Sequence, residues 1–216
     1  MTSQTAAARS EAGAAPPARG PVKRIVAWFM ALPFRRAIWL APLAWTLHEA
    51  EEWNINEFES THFVDPGYFS RIDHPVLWLG LGQVALQGVV WTALTAWPRN
   101  PRFAAFLTLP FFVVLSFGNV LQHVYYVGYF RGYTPGFATA VLLLAPVVLA
   151  LSYRAVREKL VPWWYATILY LAAVPALVST IQARDQLPPQ LQSMQLRAIH
   201  VAELILGRNG PPAPRR

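Results

Sequence analysis

Five long apolar segments dominate this 216-residue sequence and limit the folds that it can adopt. Each has about 17–25 residues, the length that an α-helix needs to cross a hydrocarbon core of ~30 Å. Tryptophan and tyrosine residues crowd the ends of the segments, which is typical of an interfacial aromatic belt. We therefore predict an all-α, polytopic transmembrane helix bundle whose membrane helices occupy residues 37–53, 75–97, 103–127, 137–153 and 163–181.

The scarcity of charge supports this prediction and argues against several classes of protein. Lys and Arg number 18 and Asp and Glu number 11, so that only 13% of the residues are charged. Charged residues make up about a quarter of a soluble domain, so a soluble enzyme or a disordered chain is not expected. The net charge of +7 does not indicate a nucleic-acid partner, because the basic residues lie mostly between the apolar segments, where they set membrane topology. The absence of cysteine excludes disulfides and thiolate ligands.

The distribution of basic residues predicts the orientation of the chain in the membrane. Six Lys and Arg residues precede the first apolar segment, whereas the loops 54–74 and 128–136 carry one each. Because basic loops stay in the cytoplasm, we expect a cytoplasmic N-terminus and place both of these loops outside.

The rest of the chain divides into tails and shorter segments. Residues 1–22 and 208–216 are rich in Ala, Pro or Gly and predict disordered tails, which leaves residues 23–207 as the helical domain. The apolar run 25–34 predicts a short interfacial helix. Residues 190–207 form either a sixth membrane helix or an amphipathic surface helix, so the number of membrane helices is five or six.

The first apolar segment ends in four ionisable residues, His48, Glu49, Glu51 and Glu52. Each such residue costs roughly 2.5–3.5 kcal/mol inside a membrane, so the group needs partners, water or a metal ion. Helical geometry places His48, Glu51 and Glu52 within an arc of about 100°, with Glu49 to one side. One imidazole and two carboxylates on one face suit zinc, iron or manganese. The alternative is a helix end that simply enters outer-side water and is followed by an acidic loop with Glu57, Glu59 and Asp65.

A second polar cluster lies in the third apolar segment, at Asn119, Gln122, His123 and Tyr126. These residues share one helical face, and a single membrane histidine often only forms a hydrogen bond between helices. The first and third segments run in the same direction, however, and both carry their polar cluster near the end. We therefore expect His123 to lie in the same leaflet as the histidine and carboxylates of the first segment.

Two further polar pairs have simpler interpretations. Gln83 and Gln87 lie one turn apart and are interpreted as hydrogen-bonding residues between packed helices. His200 and Glu203 form an H-x-x-E pair that either completes the site or belongs to a solvated face, and the solvated face is the preferred interpretation.

Three motifs together resemble a known family. The sequence HEAEE at residues 48–52, the separate His123 and the sequence YTPG at residues 133–136 are similar to the HXXEE family of small bacterial membrane proteins. The resemblance covers residues 40–150, implies a location in the bacterial inner membrane and brings no known reaction. Glu49 falls on a variable position of the motif. The motif positions correspond to His48, Glu51, Glu52, His123, Tyr133, Pro135 and Gly136.

The leading functional hypothesis is a metal-dependent membrane enzyme of the hydrolase type, with a site near the outer leaflet. His48, Glu52 and His123 would bind the divalent ion, with Glu51 as a further ligand or as a support for the ligands. A metal-bound water would be the nucleophile and the substrate a lipid or lipid-soluble molecule. No organic cofactor is indicated, and no pattern specifies an oligomeric state.

Two further roles in the proposed enzyme are a general base and a phenolic hydroxyl, and other functions compete with the enzyme hypothesis. Glu49 or Glu51 would act as the general base, and Tyr133 would contribute a phenolic hydroxyl from a loop that caps the site. The same cluster would also serve a metal-free isomerase or cyclase, or a transporter or sensor that binds a metal ion or protons. A third hypothesis is that these polar residues have a purely structural role and only hold helices together.

Overall fold

The computed structural model describes residues 20–64, 72–186 and 188–208, with the backbone alone described at 189–191. These residues are almost entirely helical, and no strand occurs among them. The helices are α1 (Pro21–Ala31), α2 (Phe34–Ala37), α3 (Leu40–Glu51), α4 (Ile55–His62), α5 (His74–Ala96), α6 (Pro101–Phe112), α7 (Gly118–Phe130), α8 (Phe137–Thr139), α9 (Ala145–Arg157), α10 (Trp163–Ala183) and α11 (Pro189–Ile205). The all-α prediction is confirmed.

The chain divides into two compact units, Met1–Pro33 and Phe34–Arg216. The described part of the first unit is α1, which begins with a proline in its first turn and has no buried residue. It corresponds to the predicted short helix 25–34. Most of the two predicted tails lies outside the described residues, although Arg208, at the start of the second tail, pairs with Asp73 at 2.7 Å.

Four helical stretches of the second unit are long and apolar enough to cross a membrane, which indicates a membrane protein. In the most apolar part of each stretch 22% to 50% of the residues are buried within the protein, so at least half of them are available to lipid. The stretches are His74–Ala96, Pro101–Phe130, Phe137–Arg157 and Trp163–Ala183. They correspond to four of the five predicted segments, and the total of five or six is not confirmed.

The first predicted segment differs because it is not one continuous helix. It breaks between α2 and α3, where Pro42 has no N–H to donate to the carbonyl of Ile38. That carbonyl accepts instead from the N–H of Ala41 at 3.1 Å. The remaining helix α3 has 12 residues and rises about 18 Å, which is too short for a ~30 Å core. A short helix therefore carries the HEAEE motif.

Helix α11 packs along the start of α5 through a small apolar core. Ile199 and Ala202 are fully buried against Val76 and Leu77. With 17 residues and a charged face, α11 is not among the helices long and apolar enough to cross a membrane.

Two of the four long stretches contain a π-helical turn. Val113–Phe117 joins α6 to α7, and Ala140–Leu144 joins α8 to α9. Such turns insert an extra residue into a helix and occur often at functional sites. The second one begins directly after Thr139, a residue of the site described below.

Candidate metal centre

The centre begins at the C-terminal end of α3, where His48 and Glu52 lie one helical turn apart. The backbone N–H of Glu52 donates to the His48 carbonyl at 3.2 Å and closes this last turn. The turn directs both side chains to the same place, with His48 Nε2 and Glu52 Oε1 at 3.5 Å. His48 is completely buried.

Helix α7 supplies the third member of the group, His123. Its Nε2 lies 3.1 Å from Oε1 of Glu52, and its ring stands edge-on to the ring of His48 with 5.1 Å between the centroids. The three side chains each offer one atom, and these atoms lie within 4.8 Å of one another. Ligands held at about 2.05 Å around a tetrahedral metal are ~3.3 Å apart, which is close to the two distances to Glu52. The expected convergence of the two polar clusters is thus present in the structure.

Thr139 determines which nitrogen of His48 carries the proton. The Thr139 hydroxyl donates to the Glu51 carboxylate or to the Gly136 carbonyl, and both of these groups can only accept. It must therefore accept from His48 Nδ1, which lies 3.0 Å away. The lone pair of His48 is then on Nε2, which is buried, has no hydrogen-bond partner and faces Glu52. This is the arrangement that metal-binding histidines commonly show.

Thr134 occupies the equivalent place beside His123. Its hydroxyl is 3.3 Å from Nδ1 of His123, and the residue is fully buried. If Nδ1 donates to Thr134, the Nε2 lone pair of His123 also points toward the centre, and three acceptors then face one another and need a cation or a proton between them. If Thr134 donates to Nδ1, the Nε2–H of His123 donates to Glu52 at 3.1 Å instead.

The YTPG motif packs directly against this group. The N–H of Phe137 donates to the carbonyl of Thr134 at 3.1 Å, which closes a four-residue turn with Pro135 and Gly136 in its centre. Gly136 has φ 87° and ψ −15°, the values of the third residue of a type II turn. The YTPG motif therefore forms a tight turn.

Gly136 also needs to be a glycine for reasons of space. A Cβ atom at this position would lie 2.8 Å from Cε1 of His48, 2.8 Å from Cε1 of His123 and 2.9 Å from Cγ of Glu52. The turn is thus the wall of the centre as well as a connection between helices.

Glu51 lies outside the three-residue group and holds the turn in place. Its carboxylate accepts hydrogen bonds from the N–H groups of Ala138 and Thr139, at 3.2 and 2.7 Å, and from the hydroxyls of Thr139 and Tyr133. These N–H groups belong to the first turn of a helix, where an anion is favourable. Burial and the adjacent Glu51 charge raise the pKa of Tyr133 to about 12, so its hydroxyl keeps its proton and donates it.

The other predicted residues lie apart from the centre. Glu49 is buried, with 6% exposure, but does not belong to the group of three. His200 is exposed on α11, as the solvated-face interpretation predicts, whereas Glu203 is buried, and neither belongs to the group of three. Of the second predicted cluster, Gln122 donates to the Tyr126 hydroxyl at 3.3 Å, away from the three ligand atoms.

The contacts of the two threonines and the burial of the Glu59 carboxyl group were not predicted from the sequence. Thr134 lies inside the YTPG motif and Thr139 three residues after it, so their closeness to the motif was the available signal. Glu59 was interpreted as part of an acidic loop, but it lies on α4 and is only 4% exposed. It accepts from Gln195 Nε2 at 2.9 Å, and burial raises its pKa to about 8.

Fold and site together define an all-helical protein with four candidate membrane helices and a buried group of two histidines and one carboxylate. A family model described as "Protein of unknown function with HXXEE motif" matches residues 39–151, which is more than half of the chain. The chain belongs to this family, and the predicted resemblance over residues 40–150 is confirmed. No similar protein was found among curated sequences, and no similar fold among solved structures.

Proposed function

We propose that the protein binds a divalent metal ion through His48, Glu52 and His123 and uses it to hydrolyse a lipid-soluble substrate near the outer face of a bacterial inner membrane. The observation that carries the proposal is the Nε2 atom of His48, which is buried, has no hydrogen-bond partner and lies 3.5 Å from the Glu52 carboxylate. A buried acceptor without a donor is unfavourable, and a metal ion would satisfy it together with the other two ligand atoms.

The donor set favours zinc or iron(II). Two histidines and one carboxylate occur in catalytic zinc sites, which keep further positions open, and in non-haem iron sites. A bound zinc ion would lower the pKa of a bound water to about 7 and so supply a nucleophile at neutral pH. Manganese fits less well, because it prefers a set richer in oxygen.

We assign proton transfer to Glu51 rather than to Glu49. The Glu51 carboxylate contacts Thr139, which holds the Nδ1 proton of His48, and it also contacts the exposed Tyr133. It therefore lies between the buried group and the accessible surface, where a general base must exchange protons. Tyr133 is the hydroxyl that would stabilise or protonate a reacting oxygen.

Metal analysis of the purified protein tests the first half of the proposal. We expect about one zinc or iron ion per chain, and a loss of at least tenfold in metal content for His48→Ala and for His123→Ala, since even outer-shell changes cost 10–100-fold in affinity. His200→Ala is the matched control because this histidine is exposed on α11. A wild-type protein without stoichiometric metal, or an equal loss in the control, would refute the assignment.

Turnover of fluorogenic lipid esters and amides tests the second half. Activity should disappear with a chelator and return with zinc, and Glu51→Gln should retain the metal while losing about 100-fold in kcat, the scale of general-base catalysis. Circular dichroism and thermal unfolding of the variant show whether its fold is intact. If folded, metal-loaded protein hydrolyses no member of the panel, the hydrolase assignment is wrong, but the assignment of the metal site is not affected.

One distance favours a second candidate, a metal-free acid–base enzyme. Nε2 of His123 and Oε1 of Glu52 are 3.1 Å apart, which is also the distance of a hydrogen bond. A proton shared between them would let the pair act on a lipid-soluble substrate as an isomerase does. This candidate replaces the first if the protein binds no metal and if activity survives the chelator.

A further inference from the structure

An open cavity of about 490 Å³ lies beside the centre, on the side of α4. Its size falls within the range of small-molecule sites. Glu51, Tyr133 and Pro135 form the part of its wall that adjoins the centre, because Pro135 precedes Gly136 in the turn that covers the histidines. A molecule in this cavity would therefore lie next to the residues that we assign to proton transfer.

The chemistry of the wall is acidic and aromatic. Glu51 and Glu57 contribute carboxylates, and Trp53, Phe58 and Tyr133 contribute rings. Among the described residues, none that lines the cavity is Lys or Arg. The Glu51 carboxylate, which accepts four hydrogen bonds from the YTPG turn and the residues after it, lies at the inner end of the wall.

Glu57 provides a second carboxylate in the wall of the cavity. Its side chain is exposed, and its only ion pair among the described residues is with His74, at 3.7 Å. That distance is long, so the pair holds Glu57 weakly. Trp53 stacks on the ring of His74 with 6.2 Å between centroids, and Trp53 also lines the cavity. An aromatic ring and a carboxylate that both contact His74 thus line the same cavity.

We propose that this cavity binds a positively charged amine or quaternary ammonium group of the substrate. Carboxylates and aromatic faces attract such a cation together, whereas an anionic group would meet two negative charges. This inference rests on the proposed function only for the statement that the bound molecule is the substrate. The cation site itself uses no ligand of the metal.

Calorimetric titration of chelator-treated protein in a maltoside detergent tests the site, with choline as the probe and its uncharged isostere 3,3-dimethylbutan-1-ol as the comparison. Choline should bind about five- to thirtyfold more tightly than the alcohol, the range expected for a cation on aromatic faces. Glu57→Gln and Trp53→Leu should each weaken choline about fivefold or more and leave the alcohol nearly unchanged. Trp97→Leu is the matched control, since Trp97 is exposed and does not line the cavity.

Equal binding of choline and the alcohol, or unchanged choline affinity in Glu57→Gln and Trp53→Leu, would overturn the proposal. Lysophosphatidylcholine in the same titration separates the two sources of the cation: tighter binding than choline identifies a lipid headgroup, and equal binding identifies a free amine. Because metal-free protein is used, failure of the metal site appears in the metal content alone, and failure of the cation site appears in these titrations alone.

Discussion

Glu52 and Glu59 are both carboxyl groups at the ends of short helices, but their neighbours give them different chemistry. Glu52 faces the Nε2 atoms of two histidines, at 3.5 and 3.1 Å. Glu59 accepts a hydrogen bond from the amide of Gln195, and its second oxygen is buried with no hydrogen-bond partner among the described residues. The comparison teaches that burial alone does not make a carboxylate a metal ligand, because Glu59 responds to burial by a raised pKa of about 8.

A substitution in the wall of the metal centre, at Gly136, gives the largest expected effect on stability. Gly136→Ala places a Cβ atom 2.8 Å from two histidine carbons at a positive φ. Left-handed strain and overpacking together predict a loss of about 4 kcal/mol in the free energy of unfolding, with loss of metal at the same time. Thermal unfolding and metal analysis measure both effects.

Gly128→Ala is the control for this substitution, since a Cβ atom at Gly128 would meet nothing within 4 Å. It should change stability by no more than about 1 kcal/mol and should retain the metal. Equal behaviour of the two variants would show that Gly136 does not form the wall of a metal site.

The buried carboxyl group of Glu59 is tested by the pH dependence of stability. The folded pKa of Glu59 is raised to about 8 from 4.5, so the folded state holds a proton that the unfolded state has released between these values. Stability therefore falls as pH rises through this interval, by about 1.4 kcal/mol per pH unit at most, or about 2 kcal/mol between pH 6 and 7.5.

Glu59→Gln removes this titration while it keeps the shape of the side chain. The difference in unfolding free energy between pH 6 and 7.5 should therefore shrink by about 2 kcal/mol in the variant. Glu57→Gln, which changes an exposed carboxyl on the same helix, is the control variant. If Glu59→Gln follows the wild-type profile, the carboxyl is already ionised and the contrast with Glu52 fails.

The smallest expected effect concerns the tautomer of His48. Thr139→Val removes the acceptor for His48 Nδ1 at nearly constant volume and should weaken metal binding about tenfold, the lower end for outer-shell changes. Thr139→Ser keeps the hydroxyl and should restore the affinity. Competition titration with a chromogenic chelator measures both, and equal affinities of the two variants would contradict this role.

Much of the fold was predictable because its signal is local. Four of the five apolar segments correspond to the long helices, since length and hydropathy are properties of consecutive residues. The shape of the first segment was not predictable in this way. Hydropathy alone describes it as one continuous helix, whereas Pro42 breaks it. The count of membrane helices depends on such local interruptions and on how α11 packs.

The candidate site was predictable in part. His48, Glu52 and His123 were recognised because ionisable residues are costly within apolar segments. Thr134 and Thr139 were not, because a threonine costs little in a membrane helix and its partner is distant in sequence. Glu59 was misinterpreted for a related reason, since its hydrogen-bond partner Gln195 lies on α11, more than 130 residues away.

The sequence by itself determined the class of the protein, the family and the chemical types available to the site, because all three are encoded in composition and in short motifs. The tertiary structure decided their roles. It joins one histidine of α3 to one of α7 through Glu52, and it turns Glu51 away to hold the YTPG turn. Neighbouring glutamates of one motif thus have different partners because only the packing of helices fixes which atoms face each side chain.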